Sequence, residues 1–149
     1  MTHAPLAIRP IAVGEEAAVI ALWEACALTR AWNDPLEDLA FARGKTNSEA
    51  LVGLAAGRLA ASALVGHDGH RGTMYYVSVD PAQRGRGYGR EMVLGAEAWL
   101  QARGVWKVNL LVRKGNAAAL GFYAAIGYLE GASVPIEKWI DPDRRGDRS

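Results

Sequence analysis

The residues best suited to chemistry run from Val77 to Arg90: Val77-Ser78-Val79-Asp80-Pro81-Ala82-Gln83-Arg84-Gly85-Arg86-Gly87-Tyr88-Gly89-Arg90. A β-branched run ends, a glycine-rich loop follows, and a helical pattern begins. The first N–H groups of a helix lack backbone partners, and the helix dipole adds positive potential, so such a junction binds anions. Glycines let the backbone approach a phosphate closely. Arg84, Arg86 and Arg90 fall in this span with no acid between them. The segment reads as a pyrophosphate cradle; its plain alternative is a glycine-rich turn with solvated arginines.

Two phosphate motifs do not fit. A dinucleotide fingerprint needs G-x-G-x-x-G, but after Gly85 and Gly87 the third position is Arg90. Gly44-Lys45-Thr46 ends like a Walker loop, but Leu39 stands where its first glycine should be. Outside the loop, His67, Asp68 and His70 lie in a glycine-rich turn without a clear further strong ligand, so turn chemistry is expected and no metal. Cys26, the only cysteine, sits in an apolar helical pattern and reads as a buried structural thiol.

The elements around these residues follow from periodicity. Ile8–Ile11 reads as a first strand and Gly14–Arg30 as a helix, with Ala17, Ile20, Ala21, Ala25 and Leu28 on one face. Asp34 and Pro35 suit a helix cap and first position, Glu37 and Asp38 favour the positive end of the dipole, and Gly44 can stop the helix. Ala50–Ala56 and Leu59–Val65 read as strands joined by a Gly57-Arg58 turn, and Gly66–Gly72 as a loop. Thr73–Asp80 is a strand, Pro81–Gly89 a loop, and Arg90–Arg103 a helix ended by Gly104. Lys107–Arg113 reads as a strand and Asn116–Ile126 as a helix with Asn116 as cap and Gly127 past its end. Tyr128–Ile140 adds one or two strands, and 141–149 is a frayed tail. The order is that of a single mixed α/β domain over residues 1–149.

Composition narrows the classes. The chain has 149 residues, half of them apolar, and 17 Lys plus Arg against 16 Asp plus Glu. That length can bury a real core. A net charge of +1 disfavours a nucleic-acid partner, which needs clustered basic surplus. No apolar run approaches the roughly 18–20 residues of a membrane span, and no signal peptide is visible, so no membrane association and a cytoplasmic location are expected. With one cysteine no internal disulfide can form.

Three ordered motifs turn these readings into a resemblance. Arg84-Gly85-Arg86-Gly87-Tyr88-Gly89, directly after a Val-x-Val-Asp-Pro strand, resembles the R/Q-x-x-G-x-G/A acyl-CoA loop of the GNAT superfamily of N-acetyltransferases. Val112-Arg113-Lys114-Gly115-Asn116 and Phe122-Tyr123-Ala124-Ala125-Ile126-Gly127-Tyr128 resemble the family's next strand, helix-start Asn and F/Y-Y-x-x-x-G-F/Y signature. Trp32-Asn33-Asp34-Pro35 and the Gly66–Gly72 turn are most similar to small bacterial YpeA-like members.

The resemblance implies a GNAT-like fold: a twisted mixed sheet flanked by helices, with a parallel strand pair splayed at a bulge. It implies acetyl-CoA as co-substrate and an amine as acceptor. Val77 and Val79 would offer backbone groups to the pantetheine arm, and the Val79 N–H would polarise the thioester carbonyl. Arg84, Gly85, Arg86, Gly87, Tyr88, Gly89 and Arg90 would hold the pyrophosphate. Asn116 would touch the pantetheine, and Tyr123, two helical turns on, would protonate the leaving thiolate. Trp32, Asn33, Asp34 and Tyr76 would contact the acceptor, an aromatic beside a carboxylate being suited to an ammonium. Ribosomal-protein acetyltransferases carry a Glu where this chain has Leu111, so the base is open; Glu24, Asp34 and Tyr76 are candidates acting through water. A non-catalytic acyl-CoA sensor of the same fold is the alternative. Exposed aromatics near Trp139 would fit a homodimer.

Overall fold

In a computed structural model of the chain, residues 3–145 are described. The chain divides into two compact units, Met1–Asn109 and Leu110–Ser149. The first holds β1 (Ala7–Pro10), α1 (Glu16–Ala25), α2 (Pro35–Ala42), β2 (Ser48–Ala55), β3 (Arg58–His67), β4 (Gly72–Val79), a 3-10 turn at Pro81–Gln83 and α3 (Tyr88–Gln101). The second holds α4 (Ala117–Ala125) and a 3-10 turn at Pro142–Arg144.

The sheet order is β1-β2-β3-β4, antiparallel throughout. Beyond β4 comes one parallel bridge, between Gly72 and Val108. There the Gly72 N–H donates to the Lys107 carbonyl and the Asn109 N–H to the Gly72 carbonyl, both at 2.9 Å. The strand expected over Lys107–Arg113 is thus shorter than its sequence pattern. A strand lasts only as long as a neighbour shares its ladder, and local alternation cannot show where that neighbour stops.

Successive strand residues face opposite sides. One side of the sheet is covered by α1 and α2, where Ile11, Val19, Trp23, Leu39, Ala50, Val52 and Leu64 form a buried cluster. The other is covered by α3: of the apolar stripe Met92, Val93, Ala96, Trp99 and Leu100 that its periodicity predicts, all are buried but Trp99, which is half-buried. That helix sits very close: a Cβ at Gly72 would come within 2.6 Å of Leu100, and one at Gly95 within 2.6 Å of Ile8.

Local rules explain most element ends. Asp34 caps α2, its Oδ1 accepting from Leu36 N–H at 2.9 Å and Glu37 N–H at 3.3 Å, with Pro35 in the first turn, as expected. The expected helix Gly14–Arg30 is cut to Glu16–Ala25 because Ala27 turns left-handed at φ +57. Its N–H bonds to Glu24 O and the Leu28 N–H to Trp23 O, a Schellman stop built without glycine.

The β2–β3 turn is centred on Ala56-Gly57, not Gly57-Arg58: both are left-handed (φ +50 and +79), and Arg58 already belongs to β3. Two such residues make the turn that matches strand twist, and Asn-Gly is its preferred pair. Ala56→Asn is therefore expected to stabilise the protein by about 0.5–1 kcal/mol, raising the thermal midpoint by about 1–4 °C. Calorimetry of the two proteins checks this; an unchanged or lower midpoint contradicts it.

In the second unit Asn116 Oδ1 caps α4 by accepting from Ala119 N–H at 3.0 Å. Gly127 (φ +101) ends the helix, and the Tyr128 N–H closes on Tyr123 O at 2.9 Å. The strands expected within Tyr128–Ile140 do not form among the described residues. Leu129, Val134 and Ile136 are 90%, 81% and 93% exposed, so a strand here would have no cover to fold against. Trp139 is half-buried, unlike the exposed Ile140 beside it. The expected frayed tail over 141–149 is a 3-10 turn at Pro142–Arg144 capped by Asp141, and from 146 it lies outside the described residues.

Candidate functional site

The site begins at an irregularity in β4. Ala61 pairs with Val79 and Ser62 with Ser78, but Leu64 pairs with Tyr75. Tyr76 and Val77 therefore share the place opposite Ala63, which is a β-bulge. Tyr76 is left-handed at φ +53, an outlier for so bulky a residue.

The bulge changes which residues face the outer edge. Before it, Gly72 directs both backbone groups outward, to Lys107 and Asn109. After it, the Asp80 N–H donates inward to Ala60 O at 2.8 Å. Antiparallel ladders alternate, so Ser78 also bonds toward β3 while Val77 and Val79 turn their N–H and C=O to the outer edge. The Val79 carbonyl accepts from the Cys26 thiol at 3.2 Å, which leaves its N–H directed along that edge. Cys26 is half-buried, where its apolar pattern predicts a buried thiol.

The chain then enters the arginine loop. Asp80 caps the 3-10 turn by accepting from Ala82 N–H at 2.9 Å. Gly85 and Gly87 are left-handed, at φ +81 and +80, and Gly87 is the N-cap of α3. The helix starts at Tyr88, two residues earlier than periodicity suggested, so the N–H groups of Tyr88, Gly89 and Arg90 form its open first turn. Arg84, Arg86 and Arg90 are exposed, and Arg86 also bonds Gln83 Oε1. Tyr88 differs from the rest. Its ring is buried and its hydroxyl donates to Ala4 O at 2.8 Å, so only its backbone can face a ligand.

On the α1–α2 side, Trp32 and Asn33 are half-buried in the turn before α2, and the Asp34 carboxylate serves as its cap. One turn further on, Asp38 meets Tyr76: the phenol donates to Oδ2 at 2.7 Å. Burial first, and then Asp38, pushes the Tyr76 phenol well above its ordinary range. It stays protonated and donates, which removes Tyr76 as a base. Asp38 was missed because acids in a helix's first turn are already accounted for by the dipole. Glu24 is exposed on α1.

The His67–His70 turn is held by its own atoms. Asp68 Oδ1 accepts from His70 and Arg71 N–H groups, both at 2.8 Å, and these bonds lower its pKa. Among the described residues no three His, Cys, Asp or Glu side chains gather as metal ligands.

In the second unit, Asn116 and Tyr123 lie on α4 and its cap, about two turns apart and on one face. Tyr123 is half-buried, edge-on to Phe122 at 5.0 Å and to Tyr128 at 5.4 Å between ring centroids. Burial raises its pKa. Leu111 is 65% exposed.

Residues 16–128 match the family described as Acetyltransferase (GNAT) family. An N-acetyltransferase from Yersinia pestis is 41% identical over 126 residues, spanning 85% of this chain and 89% of that protein. The ribosomal-protein alanine N-acetyltransferase of Escherichia coli superposes with a TM-score of 0.71 at 24% identity, covering 85% of this chain and 79% of that one. AAC(6')-Iy, solved with a CoA-S-monomethyl-acetylneamine bisubstrate analogue, gives 0.76 at 15% identity, covering 90% and 97%. Among the described residues no helix is long and apolar enough to cross a membrane.

Proposed function

The chain belongs to the GNAT acetyltransferase family, and from that premise we propose that it moves an acetyl group from acetyl-CoA directly to an amine of a small molecule or peptide. The observation that carries this reading is the β4 bulge. It turns the backbone groups of Val77 and Val79 to the outer edge just before the chain enters a loop of left-handed glycines, three arginines and a helix N-terminus. An extended polar arm followed by a pyrophosphate suits that sequence of surfaces.

In this reading Arg84, Arg86 and Arg90 neutralise the pyrophosphate, Gly85 and Gly87 shape the loop, and Tyr88 and Gly89 act through backbone N–H groups. Val77 and the amide of Asn116 bond the pantetheine. The Val79 N–H polarises the thioester carbonyl, a donor commonly worth about 2.7–4 kcal/mol at developing oxyanion charge. The neutral acceptor amine attacks the carbonyl carbon, the tetrahedral intermediate breaks its C–S bond, and Tyr123 gives the leaving thiolate its proton. The proton lost by the amine passes to water, and a proton returns to Tyr123. Trp32, Asn33 and Asp34, with the ring of Tyr76, line the acceptor side, and residues 1–149 work as one domain. No observation favours the non-catalytic sensor.

Calorimetric titration with acetyl-CoA, CoA and ATP tests the reading. Saturable binding of both CoA species and none of ATP is expected. A folded protein that binds neither CoA species overturns it.

A further inference from the structure

Tyr76 occupies a conformation that its own backbone disfavours. A bulky residue at φ +53 is strained and persists only where its surroundings over-determine it. Two contacts supply that constraint. Its ring stacks on Trp23, with centroids 4.0 Å apart and planes 14° from parallel. Its hydroxyl donates to Asp38 Oδ2 at 2.7 Å.

Both anchors are themselves fixed. Trp23 is fully buried, and its indole N–H donates to Ser62 Oγ at 2.9 Å. Ser62 Oγ lies 2.9 Å from Ser78 Oγ, so the same tryptophan is tied to β4 on the far side of the bulge. Asp38 sits in the capped first turns of α2. Cys26, at the end of α1, holds the Val79 carbonyl at 3.2 Å. The Trp23, Asp38 and Cys26 ties to the Tyr76–Val79 segment thus come from α1, its C-cap and α2.

We propose that Tyr76 is a positioning residue, locked left-handed by Trp23 and Asp38 so that the bulge keeps Val77 and Val79 facing the acyl-CoA edge. Were Tyr76 to relax into extended backbone, β4 would slip by one residue against β3. A one-residue slip reverses which residues point outward, and Val77 and Val79 would turn back into the sheet. The proposal rests on the reading of that edge as the pantetheine path.

The test compares acetyl-CoA with adenosine bisphosphate, which has the nucleotide end of CoA but no pantetheine. Tyr76→Phe and Asp38→Ala both delete the phenol–carboxylate bond. Each is expected to weaken acetyl-CoA binding about tenfold and to leave bisphosphate binding unchanged. Asp38→Asn retains an accepting oxygen and is expected to stay within about twofold of the parent. Amide hydrogen exchange supplies a second readout: Val77 and Val79 should gain protection in Tyr76→Phe as their N–H groups turn inward. Tyr76→Phe binding acetyl-CoA like the parent, equal weakening of both ligands, Asp38→Asn falling as far as Asp38→Ala, or unchanged exchange would each overturn the clamp. If the parent protein binds no CoA, the acetyltransfer reading falls with it; if the parent binds and the variants match it, only the clamp falls.

Discussion

Replacing Tyr123 by phenylalanine is expected to lower kcat about a hundredfold and to leave acetyl-CoA affinity within about twofold. The chemistry fixes the direction. A thiolate leaves poorly unless its charge is met as the C–S bond breaks. A phenol whose ordinary pKa is about 10 is a weaker acid than the thiol, near 8.5, so it acts as a strong hydrogen-bond donor that passes its proton late. Burial raises the Tyr123 pKa further, so the hydroxyl remains protonated through the neutral range. The sign is that of an acid needed in its protonated form: its ionisation can lower the rate only above about pH 10. Phenylalanine keeps the ring edges against Phe122 and Tyr128, so the fold has no reason to change. Steady-state kinetics and acetyl-CoA titration of the variant check both halves. Unchanged kcat would remove Tyr123 from the acid role, and a matching loss of affinity would make it a binding residue.

What could be read from the sequence divides along a physical line. Asp34-Pro35 marks the start of α2, Asn116 the start of α4 and Gly127 its end, because a cap is a contact between residues two to five apart. The glycine–arginine loop was legible for the same reason. The Tyr76 bulge was not. No glycine announces it, and what holds it comes from Trp23 and Asp38, far away in sequence. Two alanines behave likewise, Ala27 ending α1 and Ala56 opening the β2–β3 turn in conformations that usually call for glycine or asparagine. Tyr88 shows the converse: it lies within the loop motif, yet its side chain serves the core by bonding Ala4. Strands that depend on a distant neighbour, such as those expected at Lys107–Arg113 and Tyr128–Ile140, are where pattern and structure part.

Gly87→Val is expected to weaken acetyl-CoA binding about hundredfold while lowering the thermal midpoint by only about 2–4 °C. Gly87 sits at φ +80 as the N-cap of α3, and its carbonyl accepts the helix's first bond, from Glu91 N–H at 3.1 Å. A Cβ built there meets no protein atom within 4 Å. Within the protein, then, glycine is needed for its dihedral angle and not for room. Valine resists that angle, and the loop would relax at the point that aims the Tyr88, Gly89 and Arg90 N–H groups. Several charge-assisted bonds to one pyrophosphate would be lost together. Of the buried residues of α3 only Tyr88 adjoins Gly87, and Met92, Val93, Ala96 and Leu100 lie a turn or more further on, which is why stability should suffer less than binding. Asparagine tolerates the left-handed region, so Gly87→Asn is expected to bind acetyl-CoA within about fivefold of the parent. If asparagine loses as much as valine, the open space beside Gly87 belongs to the ligand, and the glycine is there to let a phosphate approach the chain.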